Sequence, residues 1–181
     1  MNKMLVIALF AATVLLIKGP SPAEAAMQVS STAFKDGGVI PSQYARPAAG
    51  GHNVSIPLKW SGAPEGTKSF VLCIVDHHPV ARKWAHWMVI NIPPDVTSLP
   101  EGASGKNMPP AALEMKNSFG DVGYGGPQPP RGTGPHRYVV TVYALKDARL
   151  DLKPGATPAD LQSAIGGKVL EEASITGLFE Q

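Results

Sequence analysis

The chain has 181 residues, 44% of them hydrophobic and 17% charged, with a formal net charge of +2. That length and composition predict one globular domain able to bury a sizeable core, and exclude a disordered chain. The near-neutral charge gives no case for nucleic acid or for an anionic membrane surface as partner, and a single cysteine, Cys73, excludes an intramolecular disulfide.

Residues 1–26 read apart from the rest. Lys3 precedes the apolar run MLVIALFAATVLLI, and a Pro/Ser/Ala stretch then ends in AEAAM, the layout of a secretory signal peptide with a small-residue cleavage site. The run is shorter than the ~20 residues a spanning helix needs, which weighs against a permanent anchor. The expectation is therefore an exported protein, periplasmic or secreted, made of residues 27–181 and not inserted in a membrane after cleavage. Loss of Lys3, Lys18 and Glu24 leaves 14 basic and 13 acidic residues.

The chain has 19 glycines and 18 prolines, most of them spread beyond residue 26, which predicts many short elements joined by tight turns, an all-β signature. Asn53–Trp60 alternates, with Val54, Ile56, Leu58 and Trp60 on one face and Ser55, Pro57 and Lys59 on the other. This predicts a strand, with Pro57 at an edge or bulge. Ser69–Asp76, Ala85–Ile92 and Arg137–Leu145 are β-branched and aromatic runs that predict central strands. Cys73 lies inside one of them and is expected to pack as a small hydrophobe. One helix is predicted near the end: Thr157 as N-cap, Pro158 at the first position, Asp160 three residues on, and Leu161, Ile165 and Val169 every fourth residue. Gly166 and Gly167 predict a kink or two short pieces.

Three ionisable residues fall at the ends of predicted strands, where loops of neighbouring strands converge. Asp76 closes one run in VDHHPVARKWAHW, His86 opens the next between Trp84 and Trp87, and His136 opens the last after GYGGPQPPRGTGP. If the strands are neighbours, the three share a pocket in which a carboxylate favours charged imidazoles and glycine amides aim positive charge at an anion. Tyr138 or Tyr124 supplies a hydroxyl, Trp84 can stack on an organic group, and the stiff Gly/Pro loop holds His136 still. The blander reading of the same residues is structural, with Asp76 capping a turn and Arg137 making structural polar contacts.

Taken together, VDHHP, WAHWMVINIP, the G-x-x-P-P-x-G-x-x-x-HRY pattern and the closing ASITGLF resemble the phosphatidylethanolamine-binding protein family, most closely its bacterial and archaeal, Raf kinase inhibitor-like branch. The resemblance covers the chain from about Met27 onward. It implies a mainly β fold, an antiparallel β-sandwich with a few peripheral helices, and a small surface pocket for phosphate-like anions or phosphorylated head groups. Carried over by motif, the pocket residues are Asp76, His86, Gly126, Pro129, His136 and Tyr138, to which the reading above adds Trp84, with no catalytic residue, metal or cofactor. Two departures matter. The usual D-P-D-A-P signature is here Asp76-His77-His78-Pro79-Val80, and Gln128 stands where many bacterial relatives carry cysteine.

The expected function is a non-enzymatic binding protein for a small anionic ligand. The alternative is an inhibitor of another protein, such as a peptidase or hydrolase, acting through the pocket rim; monomer and dimer stay open. A hydrolase lacks a G-x-S-x-G elbow, Ser118 having no strand-to-helix setting. A zinc site built from Asp76, His77, His78 and His86 lacks any H-E-x-x-H spacing.

Overall fold

The computed structural model describes residues 26–181; residues 1–25 of the predicted signal peptide lie outside them. In chain order the elements are β1 (Gln28–Ser30), β2 (Gly38–Val39), β3 (Leu58–Ser61), β4 (Ser69–Asp76), β5 (Trp84–Ile92), β6 (Ser98–Leu99), β7 (Leu113–Glu114), β8 (His136–Leu145), α1 (Pro158–Ile165) and β9 (Val169–Phe179), with short 3-10 turns at Ser42–Tyr44, Pro47–Ala49 and Pro79–Ala81.

The long apolar runs form the middle of a six-stranded sheet in the order β2-β9-β8-β4-β5-β7, and a three-stranded sheet, β1-β3-β6, lies against it. Every pairing is antiparallel except β2 with β9. Phe70, Leu72 and Ile74 of β4 join Trp87 and Val89 of β5 and Tyr138, Val140 and Val142 of β8 in one core, closed by Leu58, Trp60 and Leu99 of the small sheet. Trp60 meets Phe70 edge to face at 5.6 Å. The alternate residues, Val71, Cys73, Val75, Met88, Ile90 and Tyr143, face a second core closed by Leu150, Leu161 and Ile165. All eight residues of β4 are buried. Covering on both faces explains why its sequence runs apolar without alternating.

The three central strands lie where the sequence predicts them. The helix does too, with Thr157 Oγ accepting from the Asp160 N–H and the Asp160 carboxylate accepting from the Thr157 N–H. It ends at Gly166 as a single piece, and Val169 opens a strand instead of extending the helical period. That eleven-residue β9 was hidden by its half-exposed position, in which Glu171 and Glu172 break the apolar pattern. The predicted strand over Asn53–Trp60 also shortens, starting only at Leu58. Asn53 sits at φ 54°, and its side chain is spent on the backbone of a distant loop. Ser55, expected outward, is buried, its Oγ accepting from the Ser104 N–H at 3.1 Å. Pro57 precedes the strand, its carbonyl accepting from Ser31 Oγ.

One irregularity in β5 positions the site. Ile74 pairs with Trp87 and Val75 with Ala85, so His86 is an extra residue opposite no partner. Such a bulge re-aims side chains, and here the imidazole shares the face of Tyr138, with ring centroids 4.9 Å apart.

Candidate functional site

Strand register brings the predicted residues together. Asp76, the last residue of β4, pairs with Trp84 on one side and Tyr138 on the other. His136 begins β8 two residues earlier, beyond the end of β4, where the His77 N–H donates to the Arg137 carbonyl and keeps the two chains adjacent. A cavity of about 210 Å³ opens at this strand end, lined by Asp76, Trp84, His86, Pro129, His136 and Tyr138 together with Val80, Ala81, Phe119, Gln128 and Pro130.

His136 is held on both ring nitrogens. Its Nδ1 lies 2.5 Å from Asp76 Oδ2, and its Nε2 lies 2.9 Å from Thr133 Oγ1, whose hydroxyl donates to the Pro130 carbonyl. The His78 ring stacks on its face at 3.9 Å. The other carboxylate oxygen of Asp76 accepts from the His78 N–H, so a cap on the turn and a clamp on the histidine are one and the same side chain. This answers what the stiff loop does: Thr133 and Pro130 form a seat for His136.

His86 is held differently. Its Nδ1 lies 2.6 Å from the Gly125 carbonyl, which makes Nδ1 the protonated nitrogen of a neutral ring. The Gly125 N–H returns a bond to the His86 carbonyl. Burial is the dominant influence and pushes the His86 pKa down to about 4, against the opposing pull of the Gly125 carbonyl and Asp76. The expectation of a charged imidazole beside the carboxylate therefore fails at His86, because desolvation outweighs the attraction.

The Tyr138 hydroxyl is buried with no hydrogen-bond partner among the described residues. Burial, reinforced by the Asp76 charge, raises its pKa and keeps it a neutral donor. Tyr124 is no part of the cavity: its hydroxyl donates to the Tyr44 carbonyl inside the core.

The glycines also act otherwise than predicted. The Gly123, Gly125 and Gly126 amides donate to Met115 O, His86 O and Asn53 Oδ1, so none of the three is aimed at an anion. Gly126 does not line the cavity. A Cβ there would land on the Tyr44 carbonyl oxygen, so glycine is required for close packing behind the wall.

Sequence reasoning missed Thr133, Phe119 and Arg46, and weighed His78 as a departure from the signature and a metal-ligand type, not as the ring stacked on His136. Arg46 lies over the Phe119 ring at 4.1 Å and pairs with Asp121 at 3.0 Å; Phe119 in turn meets Trp84 and His86 edge-on. His77 turns away, its Nδ1 2.9 Å from Lys83 Nζ. Burial and the Lys83 charge lower its pKa. Among the described residues no three His, Cys, Asp or Glu side chains are grouped to hold a metal ion. Cys73 is buried, and desolvation pushes its thiol up to about 12.

Comparison with known proteins extends this geometry. The family model for phosphatidylethanolamine-binding protein matches residues 30–180. A UPF0098 protein of Methanothermobacter thermautotrophicus is 41% identical over 156 residues, 86% of this chain and 99% of that protein. UPF0098 protein YbcL of Escherichia coli is 36% identical over 178 residues, 95% of this chain and 97% of that one. The crystal structure of E. coli YbcL, described as a new member of the mammalian PEBP family, matches with a TM-score of 0.81 over 87% of this chain and 99% of its own. Sequence and fold thus agree along nearly the whole described length, and the chain belongs to the phosphatidylethanolamine-binding protein family, in its bacterial and archaeal branch.

Proposed function

We propose that the protein is an exported, non-enzymatic binding protein whose strand-end cavity takes a phosphate-like anion or a phosphorylated head group. The observation that carries the reading is the Tyr138 hydroxyl, buried without a partner at a cavity wall. An unsatisfied buried donor costs about 1–3 kcal/mol, and a ligand oxygen is the acceptor that would recover it. Asp76, His86 and His136 fix the walls, while Trp84, 39% exposed at the rim, offers a stacking face to an attached organic group. The Thr133 hydroxyl beside His136 donates its proton to the Pro130 carbonyl instead of to the ring, and Cys73 is buried on the far side of the sheet. Residues 1–26 supply the export signal and residues 27–181 the binding domain.

Isothermal titration with inorganic phosphate and with glycerophosphoethanolamine tests the reading. Saturable heat that weakens on Tyr138→Phe supports it, and no heat with either ligand removes it.

A second reading, docking of a protein partner on the rim, is favoured by Val80, 54% exposed next to Trp84. Two apolar side chains at the mouth of a polar cavity suit an inserted loop of another protein. Recovery of no partner by the tagged protein from the exported fraction counts against it.

A further inference from the structure

The outer face of the large sheet holds a second cavity, of about 480 Å³, on the opposite side of β4 from the strand-end pocket. Alternation along the strands makes its floor. Cys73 and Val75 of β4 and Val139 and Tyr143 of β8 point away from the core that contains Ile74, Tyr138 and Val140. The helix α1 has only eight residues, and its Leu161 and Ile165 cover the Tyr143 end of this face. Toward Val75 and Val139 the apolar floor stays open to the cavity.

The two ends of the cavity differ in charge. At one end Lys83 Nζ donates to His77 Nδ1 at 2.9 Å. An ammonium has three donors, and no carboxylate pairs with Lys83 among the described residues. Arg137 lies on the same face of β8, two residues from Val139, and its charge reaches His77 as that of Lys83 does. Arg82 and Lys83 hold consecutive positive φ angles, 49° and 63°, a costly conformation for residues with a side chain. The turn they make brings Lys83 to the cavity. At the other end, Gln162 of α1 donates to Tyr143 Oη at 2.8 Å. Glu172 of β9, paired in register with Tyr143, adds a negative charge with no ion pair among the described residues.

We propose that this cavity is a second binding site, independent of the strand-end pocket, for an aliphatic monocarboxylate. Its carboxylate pairs with Lys83, and its chain lies along Val75, Cys73 and Val139 toward Tyr143. From Val139 to Tyr143 the floor runs about 13 Å, the span of an extended chain of about ten carbons. Lys83 and Arg137 together outweigh Glu172, so an anionic head is preferred to a cationic one. Glu172 repels a second carboxylate at the far end, so a diacid of the same length is rejected.

The test is titration of the amide resonances of the full chain by NMR at pH 7 with decanoate, decanedioate and decylamine. The expected result is saturable shifts at Val75, His77, Val139 and Thr141 with decanoate, and about tenfold weaker binding of the other two. Lys83→Gly removes the charge and suits the left-handed backbone. It should weaken decanoate about tenfold, as for loss of one bond to a charged group, while staying at least as stable as the parent, which separates loss of the site from loss of the fold. Glu172→Gln should leave decanoate bound and bring decanedioate to within about threefold of it. No saturable shifts with decanoate, undiminished binding by Lys83→Gly, or decylamine bound as tightly as decanoate overturns the inference. Shifts confined to Trp84, His86 and Tyr138 also overturn it, by placing the amphiphile in the strand-end pocket. The anion reading of that pocket stands or falls on its own phosphate titration.

Discussion

Asp76 reaches past the end of its own strand to hold His136, with Oδ2 2.5 Å from Nδ1 and both side chains buried. The pair joins β4 to β8 at the point where the cavity opens, and the same carboxylate ties down the turn through the His78 N–H. Asp76→Ala leaves a buried ring nitrogen and a backbone N–H without acceptors. The expected cost is on the order of 3 kcal/mol, read as a lowered urea midpoint. A loss below about 1 kcal/mol would show that the pair contributes little to holding the strand ends together.

Tyr138→Phe separates folding from binding. The hydroxyl has no partner to lose, so stability should stay within about 0.5 kcal/mol of the parent or rise. Phosphate affinity should fall about tenfold, as for loss of one hydrogen bond to a charged group. Unchanged affinity would place the anion elsewhere.

Acid should weaken the fold through His86. Its pKa is lowered to about 4 in the folded protein, against about 6.5 in an unfolded chain. The unfolded state therefore binds more protons between those values, and stability falls as pH drops through that window, by roughly 3 kcal/mol in all. His86→Asn keeps a donor for the Gly125 carbonyl and removes the titration. Urea midpoints at pH 7 and pH 4.5 should converge for the variant relative to the parent, and an identical pH dependence would show that other groups set the acid limit.

Gly126→Ala should damage the fold more than it selectively damages binding. The added methyl collides with the Tyr44 carbonyl, and overpacking of this kind costs roughly 3 kcal/mol. Thermal unfolding checks it. A variant of parental stability with abolished phosphate binding would return Gly126 to the list of ligand contacts.

The sequence disclosed what depends on local pattern. β4, β5 and β8 were legible because runs such as SFVLCIVD and RYVVTVYAL are apolar and β-branched throughout, and α1 because a capping box has fixed spacing. The meeting of Asp76, His86 and His136 followed from placing ionisable residues at strand ends. What stayed hidden depends on the third dimension. Phe119 reaches the cavity, and Arg46 reaches the Phe119 ring, from segments with no periodic relation to the site. The Thr133 seat exists only because its loop folds back on the ring. Glycine amides looked like anion binders in the sequence, yet those of Gly123, Gly125 and Gly126 are consumed by the protein's own carbonyls and the Asn53 amide oxygen. The charge of His86 was misjudged because a sequence shows neighbours but not the exclusion of water.

The unmatched residue in β5 makes the pocket a matter of counting. Because side chains in a strand change face at every step, deleting any one residue between Trp84 and Trp87 would restore even pairing at this end of the strand. It would also shift what stands beside Tyr138, while leaving every strand of the large sheet in place. An otherwise intact fold of this kind would lack the site. The reading frame of β5, as much as the chemistry of the imidazole, is therefore what natural variation must preserve, and relatives that gain or lose one residue there should fold without binding.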